Sequence, residues 1–260
     1  MTVFLDNKPY TVQKTDKNFE GVKEAITAKS INRLRELLDK PKTVEEFTEG
    51  KVKILDGVVF YDKVRLGSRI VQRLLDYKRE GFDFKPMSKF LAKLARNPSE
   101  SARDELLLFI EAGDMPICED GDFLAYKRVR DNYRDFWTGK YRHFPGDKPS
   151  MPRSSCDSNR HNTCSEGFHI CTHQYLPEYH GGQGKIMVLK ASPEHVVAVP
   201  PDYNASKMRV CRYEVLSELG KNPEKRPKLT KKLYRVKKNG KIKAVAPKRD
   251  RTGRFAKHRR

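Results

Sequence analysis

The stretch Lys51-Val52-Lys53-Ile54-Leu55-Asp56-Gly57-Val58-Val59-Phe60-Tyr61 decides what kind of fold this chain can have. Val52 and Ile54 precede Asp56-Gly57, and Val58 and Phe60 alternate on the far side. Period-two patterning marks a strand with one buried face, and Asp-Gly supplies the positive φ angles of a tight type I′ turn. The segment reads as a β-hairpin.

Outward from it the period changes to that of helices. On the N-terminal side, Val3 to Val12 reads as two short strands around an Asp6-Asn7 turn. Phe19, Val22, Ala25 and Ile26 then recur at helical spacing. Ser30 suits the N-cap of a second helix carrying Ile31, Leu34, Leu37 and Leu38, with Pro41 just past its end, and Val44 and Phe47 indicate a third. On the C-terminal side, Ile70, Val71, Leu74 and Leu75 form an amphipathic helix ending at Gly81. Met87, Phe90, Leu91 and Leu94 make another, punctuated by Asn97-Pro98-Ser99; Ala102, Leu106, Phe109 and Ile110 make the next, closed by Gly113. Residues 1–115 are thus expected to be a helical region with two β-hairpins.

From Met115 the texture is mainly β. Phe123, Ala125 and Lys127 alternate with Leu124, Tyr126 and Arg128, which predicts a strand with one buried face. Residues 138–163 read as a long ordered loop, Phe168 to Cys171 as a short strand, and Gly181-Gly182-Gln183-Gly184 as a hinge or turn without the Lys-Ser/Thr of a phosphate loop. Strands are expected over 186–189, 196–199 and 208–216. The chain is therefore α+β, with an N-terminal α+β region (1–115), a mainly antiparallel β region (116–220) and a flexible, disordered basic tail (221–260). Within that tail, Leu233, Tyr234 and Val236 have the pattern to pair with Ile242 and Ala244 around Asn239-Gly240.

Charge isolates the tail. The 260-residue chain carries a net +20. Eighteen Lys/Arg against Glu224 and Asp250 place +16 of it between Lys221 and Arg260, leaving +4 for residues 1–220. Such a segment attracts polyanions by counterion release, or anionic lipid head groups. The residues expected to do so are Lys231, Lys232, Arg235, Lys237, Lys238, Lys248, Arg249, Arg251, Arg254, Arg259 and Arg260. The competing reading is a solubilising tail.

Hydrophobic residues make up 37% and charged residues 34%, with mean hydropathy −0.78, which excludes a wholly disordered chain. No basic start followed by a long apolar run indicates a signal peptide, and no apolar run approaches the roughly 18–20 residues that span a bilayer. Five cysteines, an odd number, fit free thiols in a reducing compartment. A cytoplasmic protein is expected.

Several separated segments, in order, resemble the rIIB proteins of T-even-like phages. They are Glu119 to Tyr133, Phe144-Pro145-Gly146, Met151-Pro152-Arg153, Thr163 to Cys171, Val199 to Asn204 and Lys207 to Val215. The N-terminal half is similar too, around the Asp56-Gly57 hairpin and Phe90-Leu91 through Asn97-Pro98-Ser99. The resemblance implies a non-catalytic early-infection factor that modulates host lysis and protects against prophage-induced exclusion. It also implies an rIIA-type protein partner, with the chain in the host cytoplasm or peripheral at the inner face of the membrane. A DNA role tied to the helix-turn-helix-like N-terminal extension of the T-even form is not carried over, because here the first residues are already the hairpin. A homo-oligomer remains open, as does the alternative of a nucleic-acid-binding regulator acting through the tail.

Two internal clusters carry candidate chemistry. Cys156, His161, Cys164, His169, Cys171 and His173 offer thiols and imidazoles at close spacing, and Cys164, His169, Cys171 and His173 are the candidate zinc ligands. There is no C-x2-C pair, so the alternative is small buried thiols beside a histidine that donates to backbone. A Cys164 or Cys171 nucleophile with His169 as base lacks a third, orienting group. The second cluster interleaves Phe123, Tyr126, Tyr133, Phe136 and Trp137 with Arg128, Arg130 and Arg134. Tyr126, Arg128, Arg130, Tyr133 and Trp137 form its expected single-strand-binding surface; the alternative is a strand with a core face and a basic edge. Glu119, Asp120 and Asp122 read as an acidic turn between strands rather than an acid–base pair.

Overall fold

The computed structural model describes residues 1–16, 18–112, 115–220, 233–237 and 239–246. The chain divides into two compact units, Met1–Glu80 and Gly81–Arg260.

The first unit opens with the hairpin β1 (Thr2–Leu5) and β2 (Lys8–Thr11), turning on Asp6 and Asn7 at φ 51° and 61°. The Asp6 carboxylate accepts from Arg35 at 2.7 Å and from Lys42 at 2.8 Å, which holds its pKa well below the usual carboxylate range. Those two cations sit on α2 (Ile31–Leu38) and α3 (Lys40–Phe47), which follow α1 (Phe19–Thr27). Pro41 does not trail α2; it lies in the first turn of α3. There its missing N–H costs nothing, and Asp39 caps the turn by accepting from the Lys42 N–H at 3.1 Å. The decisive hairpin forms as expected: β3 (Val52–Leu55) and β4 (Val58–Tyr61) pair from Val52↔Tyr61 to Leu55↔Val58, with Asp56 and Gly57 at φ 48° and 79°. A third strand, β5 (Val64–Leu66), is too short to leave a periodic signal. Val22, Val44, Val52, Val59, Leu66, Leu74 and, from α4 (Ile70–Arg79), Ile70 form the buried interior.

The second unit is built on a sheet centred on β7 (Phe123–Val129). One edge of β7 pairs along its whole length with β9 (Lys185–Ala191), which pairs in turn with β12 (Glu214–Gly220). The other edge is shared. β6 (Ile117–Cys118) meets it at Phe123, and β8 (Phe168–Cys171) meets it only at Tyr126↔Cys171. Beyond β8 lie β11 (Lys207–Val210) and β10 (Val196–Ala198). The expectation of one buried face on β7 needs correction: all seven residues are buried, Lys127 and Arg128 included. Phe109 of α6 (Glu100–Ala112) packs edge-on against Phe123, and His173 packs edge-on against Tyr126.

α5 (Phe84–Ala95) and α6 belong with this sheet, so the boundary expected at 115 falls inside the second unit. Asn97, between the two helices, explains why. Its buried amide donates to the carbonyls of Pro193 and Val196 at 2.8 Å each, and its Oδ1 accepts from Arg153 at 3.0 Å. Gly121 serves the same packing: at φ 84°, a Cβ there would stand 2.6 Å from the α5 backbone at Lys89 and Phe90.

Within the region expected to be a flexible tail, residues 221–232, 238 and 247–260 lie outside the described residues, and the pairing expected around Asn239-Gly240 forms. β13 (Leu233–Val236) and β14 (Ile242–Ala244) pair around Asn239-Gly240, and β13 adds to β6 in parallel. Tyr234 packs with Cys118, Leu124 and Leu216, so apolar burial offsets the local excess of cations.

Candidate functional site

The segments singled out from the sequence converge where β7 and β8 part. Past Tyr126↔Cys171 the two strands no longer bond, and Lys127 bridges the gap. Its ammonium donates to the His169 carbonyl at 2.8 Å and to the Tyr179 hydroxyl at 3.3 Å, while Tyr179 donates to the same carbonyl at 2.9 Å. Two side chains thus satisfy an acceptor that a continuous ladder would have used. Burial lowers the Lys127 pKa to about 8.

Aromatic rings line the opening. Phe168 packs edge-on against Tyr141 and Tyr213, with centroids 4.8 and 5.3 Å away. His143 is fully buried, its Nδ1 3.0 Å from the Tyr141 carbonyl and its Nε2 2.6 Å from the Tyr213 hydroxyl. A carbonyl only accepts, so Nδ1 carries the proton and Nε2 receives the phenol's. Burial, seconded by Lys127, lowers the His143 pKa to about 4, which agrees with a neutral ring.

Two buried guanidiniums fasten the coverings. Arg128 donates to the carbonyls of Leu176 (2.7 Å), Gln183 (3.3 Å) and Gly184 (3.2 Å), pinning the segment that closes over the sheet. Gly184 must be glycine, since a Cβ at its φ of 75° would collide with the Val129 carbonyl. Arg209 donates to the carbonyls of Asn159 and Asn162 and to the Ser165 hydroxyl, holding the 157–165 loop. Nothing about composition signalled this network except two cations inside an otherwise apolar strand.

The candidate zinc ligands do not converge. Cys164 is exposed on the loop, Cys171 is fully buried, and His173 lies beyond the end of β8 on a 3-10 turn against Tyr126. The His169 Nε2 is 2.9 Å from the Ser165 carbonyl, and burial lowers its pKa to about 4. Among the described residues no three His, Cys, Asp or Glu side chains form a metal-holding group. As a nucleophile Cys171 is ill placed, because burial pushes its thiol far above the ordinary range.

The aromatic-basic surface is only partly present. Tyr126 and Arg128 are buried, so they leave the expected set. Arg130 and Trp137 are exposed and Tyr133 is half-buried. Trp137 stands 89% exposed on a turn organised by Asp135, whose carboxylate accepts from the N–H groups of Thr138, Gly139 (3.1 Å) and Tyr141 (2.9 Å). Burial alone would raise the Asp135 pKa; these bonds outweigh it and hold it low. Arg134 donates to the carbonyls of Gly139 (3.1 Å) and Lys140 (3.0 Å), and Arg130 to that of Phe136 (2.7 Å).

The acidic turn is ion-paired: Glu119 with Arg235, Asp120 with Lys190 at 3.1 Å, and Asp122 with Lys93 at 2.6 Å. Of the eleven tail cations expected to meet polyanions, Arg235 and Lys237 are described. Lys231, Lys232, Lys238, Lys248, Arg249, Arg251, Arg254, Arg259 and Arg260 lie outside the described residues.

A family model described as Bacteriophage T4 protein rIIB matches residues 2–240, which span both units and reach past β13. Protein rIIB of Enterobacteria phage T4 is 33% identical over 220 residues, covering 84% of this chain and 70% of that protein. No solved structure matches the chain.

Proposed function

The chain belongs to the rIIB family of bacteriophage proteins, and from that premise we propose that it is an early-infection accessory factor. In this reading it modulates host lysis and counters prophage-induced exclusion through protein contacts rather than catalysis. The observation that carries the contact reading is the number of large apolar side chains left exposed on the first unit, where Phe4 is 75%, Ile31 58% and Leu55 57% exposed. Side chains of this kind mark a protein-binding face when they act as one patch, which the double variant below tests. The partner is an rIIA-type phage protein, met in the host cytoplasm or at the inner face of its membrane. Among the described residues no helix is long and apolar enough to cross a membrane, so attachment would come through the partner or through basic residues on anionic lipid.

Co-expression with a tagged rIIA-type protein tests this. The full chain is expected to co-purify with it. A Phe4→Ser, Ile31→Ser double variant, altered only at exposed positions, is expected to be lost from the complex with an unchanged circular dichroism spectrum. A variant that still co-purifies, or a wild type that never does, removes the proposal.

A further inference from the structure

We propose that the turn bearing Trp137 is a contact site for single-stranded nucleic acid, in which a base stacks on the indole and the flanking phosphates meet Arg130, Arg134 and Lys140. Trp137 is held out, not floppy. Its turn is closed from within by Asp135, and from the sides by the Arg130 and Arg134 guanidiniums on the carbonyls of Phe136, Gly139 and Lys140. With the turn's backbone already fixed, the exposed indole offers a ring face at a reduced ordering cost on binding. The guanidiniums keep their charge while bonding carbonyls, so the same groups that build the turn make its rim cationic.

The surroundings favour nucleic acid over a protein partner. In the second unit Trp137 and Phe144 are the exposed large hydrophobics among the described residues, so the indole has no apolar apron of the kind a protein interface core presents. It stands instead among Arg130, Arg134 and Lys140, and the Asp135 carboxylate between them is buried and spent on N–H groups. Lone aromatic faces among cations suit bases and phosphates, whatever the base sequence. Phe136, next in the chain, lines a recess of about 400 Å³ with Arg130, Asp131 and Gly182 to Gly184. Its ring is stacked on His180 with centroids 4.2 Å apart. That recess gives a neighbouring nucleotide a place beside the stacked one. A duplex hides its base faces, so single strands are the expected ligand.

Trp137 is the sole tryptophan of the chain, which makes the site report on itself. The full protein would be titrated with unlabelled oligothymidylate while indole emission is followed across a salt series, with the anisotropy of a fluorescein-labelled oligothymidylate measured in parallel. Saturable quenching that weakens with salt is expected. In the anisotropy assay Trp137→Ala should weaken binding by about fivefold or more, and Lys140→Glu should weaken it and flatten the salt dependence. Anisotropy that reports binding while indole emission stays constant, with Trp137→Ala binding like wild type, would place the contact elsewhere on the chain and overturn the proposal. So would an absence of binding, equal quenching by duplex DNA, or quenching by polyglutamate but not by oligothymidylate; the last would mark a protein-docking surface.

Discussion

Replacing Lys127 with methionine should remove a pH dependence of stability that the wild type shows in the alkaline range. Lys127 sits in the middle of β7, its ammonium met by one carbonyl and one phenol, and burial lowers its pKa from 10.5 to about 8. A base whose pKa is lower in the folded than in the unfolded state binds fewer protons when folded between those two values. The folded state therefore carries the full burial cost below about pH 8 and is relieved of it as pH rises toward 10.5. With these two values the relief between pH 7 and pH 10 comes to about 2–3 kcal/mol. Methionine keeps an unbranched chain in the same space with no proton to lose. Urea denaturation of both proteins at several pH values between 7 and 10, followed by far-ultraviolet circular dichroism, gives the comparison. The groups that feel Lys127 do not titrate in the native state over this range, since His143, His169 and His180 are lowered to about 4 and the Cys171 thiol is raised, so the stability of wild type minus variant isolates Lys127. It should climb by about 2–3 kcal/mol across the series. A difference that stays flat would show that the ammonium is solvated in the native state and would refute the account of the β7–β8 gap.

Asn97→Ala should lower stability by roughly 1–3 kcal/mol, visible as a drop in melting temperature, because the Pro193 and Val196 carbonyls each lose one of two donors and the Arg153 guanidinium loses an acceptor. Gly121→Ala should cost about 1–3 kcal/mol from the strained φ alone, and more if α5 must shift to admit the Cβ. Asp135→Asn can no longer accept from all of its N–H partners, so the steady-state anisotropy of Trp137 should fall while the melting temperature changes by only a few degrees. An unchanged anisotropy would show that the guanidiniums alone hold the turn.

The parts of the fold that depend on neighbours in sequence were legible. Asp6-Asn7 and Asp56-Gly57 announce their turns because those residue types take positive φ cheaply. The apolar spacing of Met87, Phe90, Leu91 and Leu94 is realised as the buried side of α5. Asn97-Pro98-Ser99 was seen as punctuation, but its amide's reach to residues 193 and 196 was not, since nothing local encodes a partner that far along the chain. Lys127 and Arg128 failed for a related reason. Their acceptors are backbone carbonyls and one tyrosine more than forty residues away, and a carbonyl leaves no trace in composition. The Cys/His cluster was conspicuous because it is dense in sequence. In space the described residues form no metal-holding group, with Cys171 fully buried on β8 and Cys164 exposed on the loop before it.

The parallel pairing of β13 with β6 also has a consequence for the order of synthesis. Ile117 and Cys118 leave the ribosome more than a hundred residues before Leu233 and Tyr234, the partners that complete that side of the sheet. Until then Leu124 and Leu216 lack the tyrosine that covers them. A nascent or prematurely terminated chain would therefore display an adhesive apolar strip that the finished one conceals, open to chaperones and proteases. Arrival of β13 becomes, in effect, a checkpoint: the cell's quality control can tell chains that carry it from fragments that stop short of it.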